Sequence, residues 1–214
     1  QTASELYDLG QYIPPVRIGI PPLLSTIFFP DMLIAFQKDY PSIPVELLEY
    51  GSIRAASLVS EDALDLALVN MNFFEIDKLN SYQILSDRIM FCVSPEHHLA
   101  KEKEITMERL KDEPLIMYNT DSVLNHTLYS RFEGLGIKPH VIMHASQLYT
   151  IENFINKNLG GAFLYSSLLK NLPKVIGIPV TPMISQEIGL VWKKGKYVNG
   201  SVEKYISFTK KYRH

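Results

Sequence analysis

One cysteine, no excess of basic charge and no long apolar run: three shortages bound this 214-residue chain before any motif is read. Cys92 stands alone, so no internal disulfide framework can form, and the count suits a reducing compartment. Twenty-one Lys and Arg against 23 Asp and Glu leave a net charge of −2 and a pI near 6.3. A chain so balanced is not expected to grip nucleic-acid phosphates by itself. No apolar run approaches the roughly 18 residues that suggest a membrane span, and no secretory signal is visible. Internal repeats, low-complexity tracts and linkers rich in Pro, Gly and Ser are lacking too. So are a G-x-S-x-G elbow, a P-loop and a G-x-G-x-x-G turn. Cys92 lies in an apolar run and reads as a buried structural thiol. His97-His98 has no third ligand at metal spacing, so neither a metal site nor a cofactor is expected. Nothing here supports catalysis, and the chain is not expected to be an enzyme. It opens at Gln1 without a methionine and reads as a cut made inside a longer protein. Leu6, Leu9 and Tyr12 recur every three residues, which fits either the end of an arriving helix or a frayed terminus.

What is present has the composition of a folded α/β protein. Hydrophobic residues make up 46% and charged residues 21%, both globular values. The length allows one large domain or two small lobes. The best organised stretch is Val16 to Tyr50. Val16 to Ile20 reads as a strand, halted by Pro21-Pro22. From Pro30 to Tyr40, Leu33, Ile34, Phe36 and Tyr40 recur at helical spacing. Pro30 suits a first helical turn, where its missing N–H costs nothing, and Pro41 stops the helix. Val45 to Tyr50 reads as a second strand, which predicts a right-handed parallel crossover. Backbone N–H groups then face out at the C-terminal edge of the first strand, where open parallel sheets hold ligands.

The same pattern continues. A helix is expected over Ile53 to Glu61 with Ser52 as N-cap, then a buried strand from Leu64 to Val69 ending at Asn70. Tyr82 to Leu85 and Arg88 to Val93 read as two strands joined across Ser86-Asp87. Further strands are expected at Leu115 to Tyr118, Val141 to Met143, Ala162 to Tyr165, Val175 to Val180 and Glu187 to Trp192. Helices are expected over Val123 to Glu133, Gln147 to Lys157 and Val202 to Tyr212, the last with Tyr205, Ile206 and Phe208 inward. This alternation predicts an α/β fold with a parallel core. If there are two lobes, the chain crosses between them at Asp87 to Ser94 and at Lys174 to Pro179.

Several phrases taken in order resemble one family, the effector-binding domain of LysR-type transcriptional regulators. They are VRIGI from Val16, FFPDMLIAFQKDYP from Phe28, LVSEDALDLALV from Leu58, CVSPEHHLA from Cys92, MERLKDEPLIM from Met107, NLGGAFLYSS from Asn158 and LVWKKG from Leu190. Each is weak alone; seven in order and spacing, from Pro14 to about Tyr212, make a specific signal. The resemblance implies a type II periplasmic-binding-protein-like fold, two α/β lobes joined by two crossover strands. It places 1–13 as a remnant of a linker helix, 14–89 plus 175–214 as lobe I, and 90–174 as lobe II. It implies a small-molecule effector in the cleft, pairing into a homodimer, with tetramers possible at full length. DNA would be bound only through a winged helix-turn-helix absent from this chain, in a cytoplasmic regulator without membrane contact. The alternative on the same fold is the solute-binding receptor of a transporter.

Candidate cleft residues follow from strand ends and the resemblance together. The family carries a hydroxyl after the first strand; here Leu23 stands at that place, flanked by Pro22, Leu24, Ser25 and Thr26. Ser25 and Thr26 read either as ligand contacts or as caps of a helix. Asn119 and Thr120, between a strand and a helix, face the cleft or form an Asx turn. His144, Ser146 and Gln147 hold the matching place in the second lobe. Ser146 reads as a cap, or as a cap and a ligand contact; His144 reads as a charge near neutrality or a satisfied histidine. Asn70 ends a strand at the cleft edge. Converging helix starts predict a small organic anion, probed best by carboxylates.

Overall fold

The computed structural model describes residues 13–27, 29–72, 78–195 and 197–212. Leu6, Leu9 and Tyr12 lie outside them. Strands and helices alternate through the chain. The first half runs β1 (Val16–Ile20), α1 (Pro22–Ser25), α2 (Phe29–Asp39), β2 (Val45–Glu49), α3 (Ser52–Ser60) and β3 (Leu66–Asn70). β4 (Leu79–Val93) leads into the second half: β5 (Ile105–Thr106), a 3-10 turn (Met107–Leu110), β6 (Leu115–Met117), α4 (Val123–Gly134), β7 (Val141–His144), α5 (Leu148–Asn156), β8 (Gly161–Tyr165), a second 3-10 turn (Ser166–Asn171) and β9 (Ile176–Thr181). β10 (Ser185–Lys193) and α6 (Gly200–Lys211) close the chain.

The strands pair in the order β2-β1-β3-β10-β4-β8-β6-β7, with β9 beside β4 and β5. β1 is parallel to β2 and β3, and β6 to β7 and β8, as the expected parallel core requires. Around each trio the sheet is antiparallel, through β10 on one side and β4 on the other. The core is therefore mixed.

β4 is one strand of 15 residues where the sequence suggests two. Ser86-Asp87 looks like a turn in isolation, yet Ser86 pairs with Glu187 and Asp87 with Gln186 in the ladder. The Asp87 carboxylate accepts from Ser166 Oγ at 2.6 Å, Ser167 N at 3.2 Å and Ser167 Oγ at 2.6 Å. Tertiary partners thus satisfy the polar pair and override its local preference. The first part of β4 pairs with β10 and the part beyond Ile89 with β8 and β9. Because β9 pairs with that second part, the return between the halves lies over 182–184, later than the Lys174 to Pro179 expected.

α2 also corrects the sequence reading. Its buried residues are Phe29, Met32 and Phe36, while Ile34 is 66% exposed. Phe36 sits among Tyr40, Tyr205 and Phe208, with ring centroids 5.1, 4.7 and 5.3 Å away. α6 brings Tyr205, Ile206 and Phe208 to this contact, all buried as expected. On the other face of β1, α3 packs closely at Gly19, where a Cβ would come within 2.7 Å of Leu64 Cδ1 and 3.1 Å of Ala55 Cβ. Cys92 is fully buried in β4, and burial pushes its thiol up to about 12, so it stays protonated and inert.

Candidate functional site

β1, β3, β6 and β8 end on the same side, where the two halves meet over a cavity of about 390 Å³. Pro21 stops β1 and holds extended backbone as the N-cap of α1 (φ −65°, ψ 142°). The four-residue α1 then turns Leu23 and Leu24 into the cavity wall, both buried. β3 delivers Asn70 to the floor, 2% exposed. Its N–H donates to Ser52 Oγ at 3.0 Å, and its Nδ2 donates to Gln186 Oε1 and, at 3.5 Å, toward Tyr165 Oη. Ser52 is the first residue of α3 and not its N-cap; Gly51 takes that place, and the Ser52 hydroxyl serves Asn70 instead.

The second half supplies the opposite wall. Tyr165 ends β8, and Tyr118 follows β6 with its hydroxyl donating to Phe163 O. Burial raises both phenols, so each remains a neutral hydroxyl; for Tyr165 the hydrogen bond with Asn70 opposes the shift. Ser122 caps α4, its Oγ accepting from Asn125 N at 3.3 Å. Ser146 lines the cavity just before α5, whose N-cap is Gln147 and lacks a side-chain cap bond. Val123 and Leu124 complete an apolar side.

Two contacts hold the halves together at the rim. Asp121 reaches across to the start of α3, where Gly51 N–H donates to its Oδ2 at 2.8 Å and Ile53 N–H to its carbonyl at 3.1 Å. Gln147 Nε2 lies 3.4 Å from Glu49 Oε2. None of the lining side chains carries a formal charge. The field inside comes from the starts of α3, α4 and α5, each favouring an anion by about 0.3–1 kcal/mol.

Of the residues expected here, Pro22, Leu23, Leu24, Asn70 and Ser146 line the cavity. Ser25 and Thr26 stand outside it; neither is an N-cap, Thr26 being the C-cap of α1. Their hydroxyls fold back on α1, 2.7 Å from Pro22 O and 2.8 Å from Leu23 O, and Ser25 Oγ is also 3.1 Å from Glu49 Oε1. Asn119 and Thr120 are exposed at the turn before α4, and Thr120 O meets His126 Nε2 at 2.8 Å. His144 is exposed, with its Nε2 3.3 Å from Tyr129 Oη. Gln147 is at the rim. Sequence reasoning missed Pro21, Gly51, Ser52, Tyr118, Val123, Leu124 and Tyr165. Tyr118 and Tyr165 were within reach of it, since they stand at strand C-terminal ends as Asn70 does.

Two α/β halves that share β4 and enclose a small cavity at their strand ends define a bilobed ligand-binding domain. The family profile described as the LysR substrate binding domain matches residues 10–213. The chain belongs to that family. A curated relative, the uncharacterised HTH-type transcriptional regulator YwbI of Bacillus subtilis (strain 168), is 34% identical over 200 residues, 92% of this chain and 66% of YwbI. The chain thus spans just under two thirds of that relative's length. Among solved structures, the regulatory domain of Synechocystis PCC6803 CcmR in complex with 2-PG superposes with a TM-score of 0.82 at 19% identity, covering 91% of this chain and 95% of that one. The effector-binding domain of QuiR in complex with shikimate gives 0.80 at 16%, covering 92% and 96%. These likenesses show the type II periplasmic-binding-protein-like fold with a mixed sheet. The chain is thus a LysR substrate binding domain, the curated relative is a transcriptional regulator, and a transporter's solute receptor is not favoured. Among the described residues, no helix is long and apolar enough to cross a membrane.

Proposed function

We propose that this domain senses a small organic anion in the cavity between its halves and so controls DNA binding by a winged helix-turn-helix outside this chain. The observation that carries the reading is the convergence of Asn70 and Ser52 from one half with Tyr165, Ser122 and Ser146 from the other around one cavity. A ligand held there touches both halves at once, so its affinity depends on how they are set. That differential affinity is what a two-state regulator requires. The structural neighbours holding shikimate and 2-PG support a small effector. The cavity walls support an anion with an apolar part: prolines and leucines on one side, helix starts and neutral hydroxyls on the other. Charge-assisted bonds of about 1.5–3 kcal/mol each, offset by association losses, give a Kd of roughly micromolar to millimolar. The cytoplasm is the compartment this role implies, and no reaction is assigned to the domain.

Calorimetry against a panel of small carboxylates is the test. Ser146→Ala and Tyr165→Phe are expected to weaken the best binder by about 3–10-fold each, the loss of one neutral hydrogen bond. Thr120→Ala, outside the cavity, should leave it unchanged. Neutral sugars or cations as the best binders, or full affinity in both cavity variants, would overturn the assignment.

The lobes proposed here are 14–88 plus 185–212, and 89–181, adjusted to the strand pairing. We propose further that two copies pair antiparallel, α2 of one against α4 of the other. Phe36 is consumed by the core and is unavailable, but Ile34 exposes 66% of its surface on the outer face of α2. Sedimentation should find a dimer that Ile34→Glu converts to monomer. A wild-type chain that stays monomeric at tens of micromolar rules the pairing out.

A further inference from the structure

We propose that His97, His98 and Glu113 form a binding site for a divalent transition-metal ion, with zinc the best match. The sequence hides this set, because Glu113 is not at ligand spacing from the histidines. The fold supplies it. His97 and His98 stand in the turn after β4, and Glu113 in the turn before β6. Glu113 Oε2 lies 3.4 Å from His97 Nε2, and its Oε1 lies 3.0 Å from His98 Nε2. The three ligand atoms all lie within 4.8 Å of one another. Tetrahedral zinc with bonds of about 2.0–2.2 Å separates its ligand atoms by about 3.4 Å, so modest side-chain rotation closes the set. Two imidazoles and a carboxylate are a donor set that suits zinc over magnesium or calcium, and a fourth position stays open to water.

Charge points the same way. The Glu113 side chain is 13% exposed, and among the described residues its ion-pair contacts are these two imidazoles, with no lysine or arginine. A largely buried carboxylate with no lysine or arginine beside it among the described residues is a charge that a bound cation balances. The scaffold is set: His97 N donates to Ser94 O at 3.0 Å, Ala100 N to His97 O at 2.9 Å, and Glu113 N to Leu110 O at 3.2 Å. The rings of His97 and His98 stack at 4.5 Å. His98, 66% exposed, is the side from which an ion enters. One bond opposes loading. Leu99 N–H donates to His97 Nδ1 at 3.3 Å, which places the ring proton on Nε2. Loading moves that proton to Nδ1 and gives up a long bond. This sets the expected Kd near micromolar, weaker than closed structural zinc sites.

The site lies at the end of the second half remote from the cavity, since Tyr118 at the other end of β6 lines it. Zinc binding here is therefore independent of effector binding. The test is a titration of the 214-residue chain with Zn²⁺ against a chromophoric chelator, with thermal melts at saturating Zn²⁺. One ion per chain at about micromolar Kd is expected, with Tm raised by roughly 5–10 °C at a hundredfold excess over Kd. His98→Ala changes an exposed residue and should fold normally while losing affinity about tenfold or more. Glu113→Gln should do the same, and a Co²⁺-loaded chain should show the absorption of a four-coordinate nitrogen and oxygen set. No stoichiometric Zn²⁺ binding, or undiminished binding in His98→Ala, overturns the proposal. So does binding lost only when His126 or His144 is replaced.

Discussion

Gly51→Ala is expected to hold the two halves apart. A Cβ at Gly51 would meet Asp121 Cγ at 2.3 Å, Oδ2 at 2.4 Å and the Asp121 carbonyl at 2.5 Å. The last is backbone and cannot swing aside. Gly51 has φ −61° and ψ 155°, which any L-residue adopts, so backbone strain is not the cause. The methyl group acts purely as a wedge at the rim. Amide hydrogen exchange should show Gly51 and Ile53 losing the protection that Asp121 gives them, while β1 and β3 behind them keep theirs. Affinity for any cavity ligand should fall about tenfold or more, because a ligand must touch both walls to gain its full set of contacts. Unchanged protection at both amides would show that the rim contact is not what closes the cavity.

Phe36→Ala should be the most damaging single change on α2. The ring is fully buried and touches three other aromatic rings, Tyr40 just past α2 and Tyr205 and Phe208 on α6. Truncation of such a residue costs about 3–5 kcal/mol, from lost transfer energy and the cavity left behind. A domain has only about 5–15 kcal/mol of stability in total. For a chain of this size the loss lowers Tm by roughly 6–20 °C. Ile34→Ala, on the exposed face, should shift Tm by a degree or two at most when measured at concentrations where the chain is monomeric. Equal effects at the two positions would mean that α2 packs by a different face.

Much of the architecture was readable from periodicity and punctuation. Pro21-Pro22, Pro41 and the runs at Val16, Val45 and Leu64 mark the first three strands closely enough to order them. The face of α2 was not readable, because Ile34 and Met32 fit helical spacing equally well and only α6, some 170 residues later, decides which is covered. Nor was the continuity of β4, whose polar middle is satisfied by Ser166, Ser167 and β10. For the site, strand ends and the family resemblance together pointed to Pro22, Leu23, Leu24, Asn70 and Ser146, which line the cavity. They could not say which way a hydroxyl turns. Ser25 and Thr26 have the right chemistry, but on a helix of four residues the nearest acceptors are the carbonyls behind them. Ser52 reads as a cap in the sequence but serves Asn70 in the fold, and Glu113 joins two histidines only through the fold.

The way β4 crosses from one half to the other limits how the halves can move. At the crossing it does not run alone: Arg88 pairs with Ser185, Ile89 N–H donates to Ile184 O at 2.8 Å, and Met90 pairs with Pro179. A two-stranded ribbon that stays hydrogen-bonded in this way resists bending in its own plane but yields to twist. It behaves as a torsion bar. Rotation about such a bar moves each strand in proportion to its distance from the axis. β2 lies four strands out from β4, roughly 19 Å at normal spacing, so a twist of about 5° carries it about 1.7 Å. Asn70, at the end of β3 and two strands out, moves about half as far. The outer rim of the domain therefore amplifies whatever small rotation a ligand imposes at its centre.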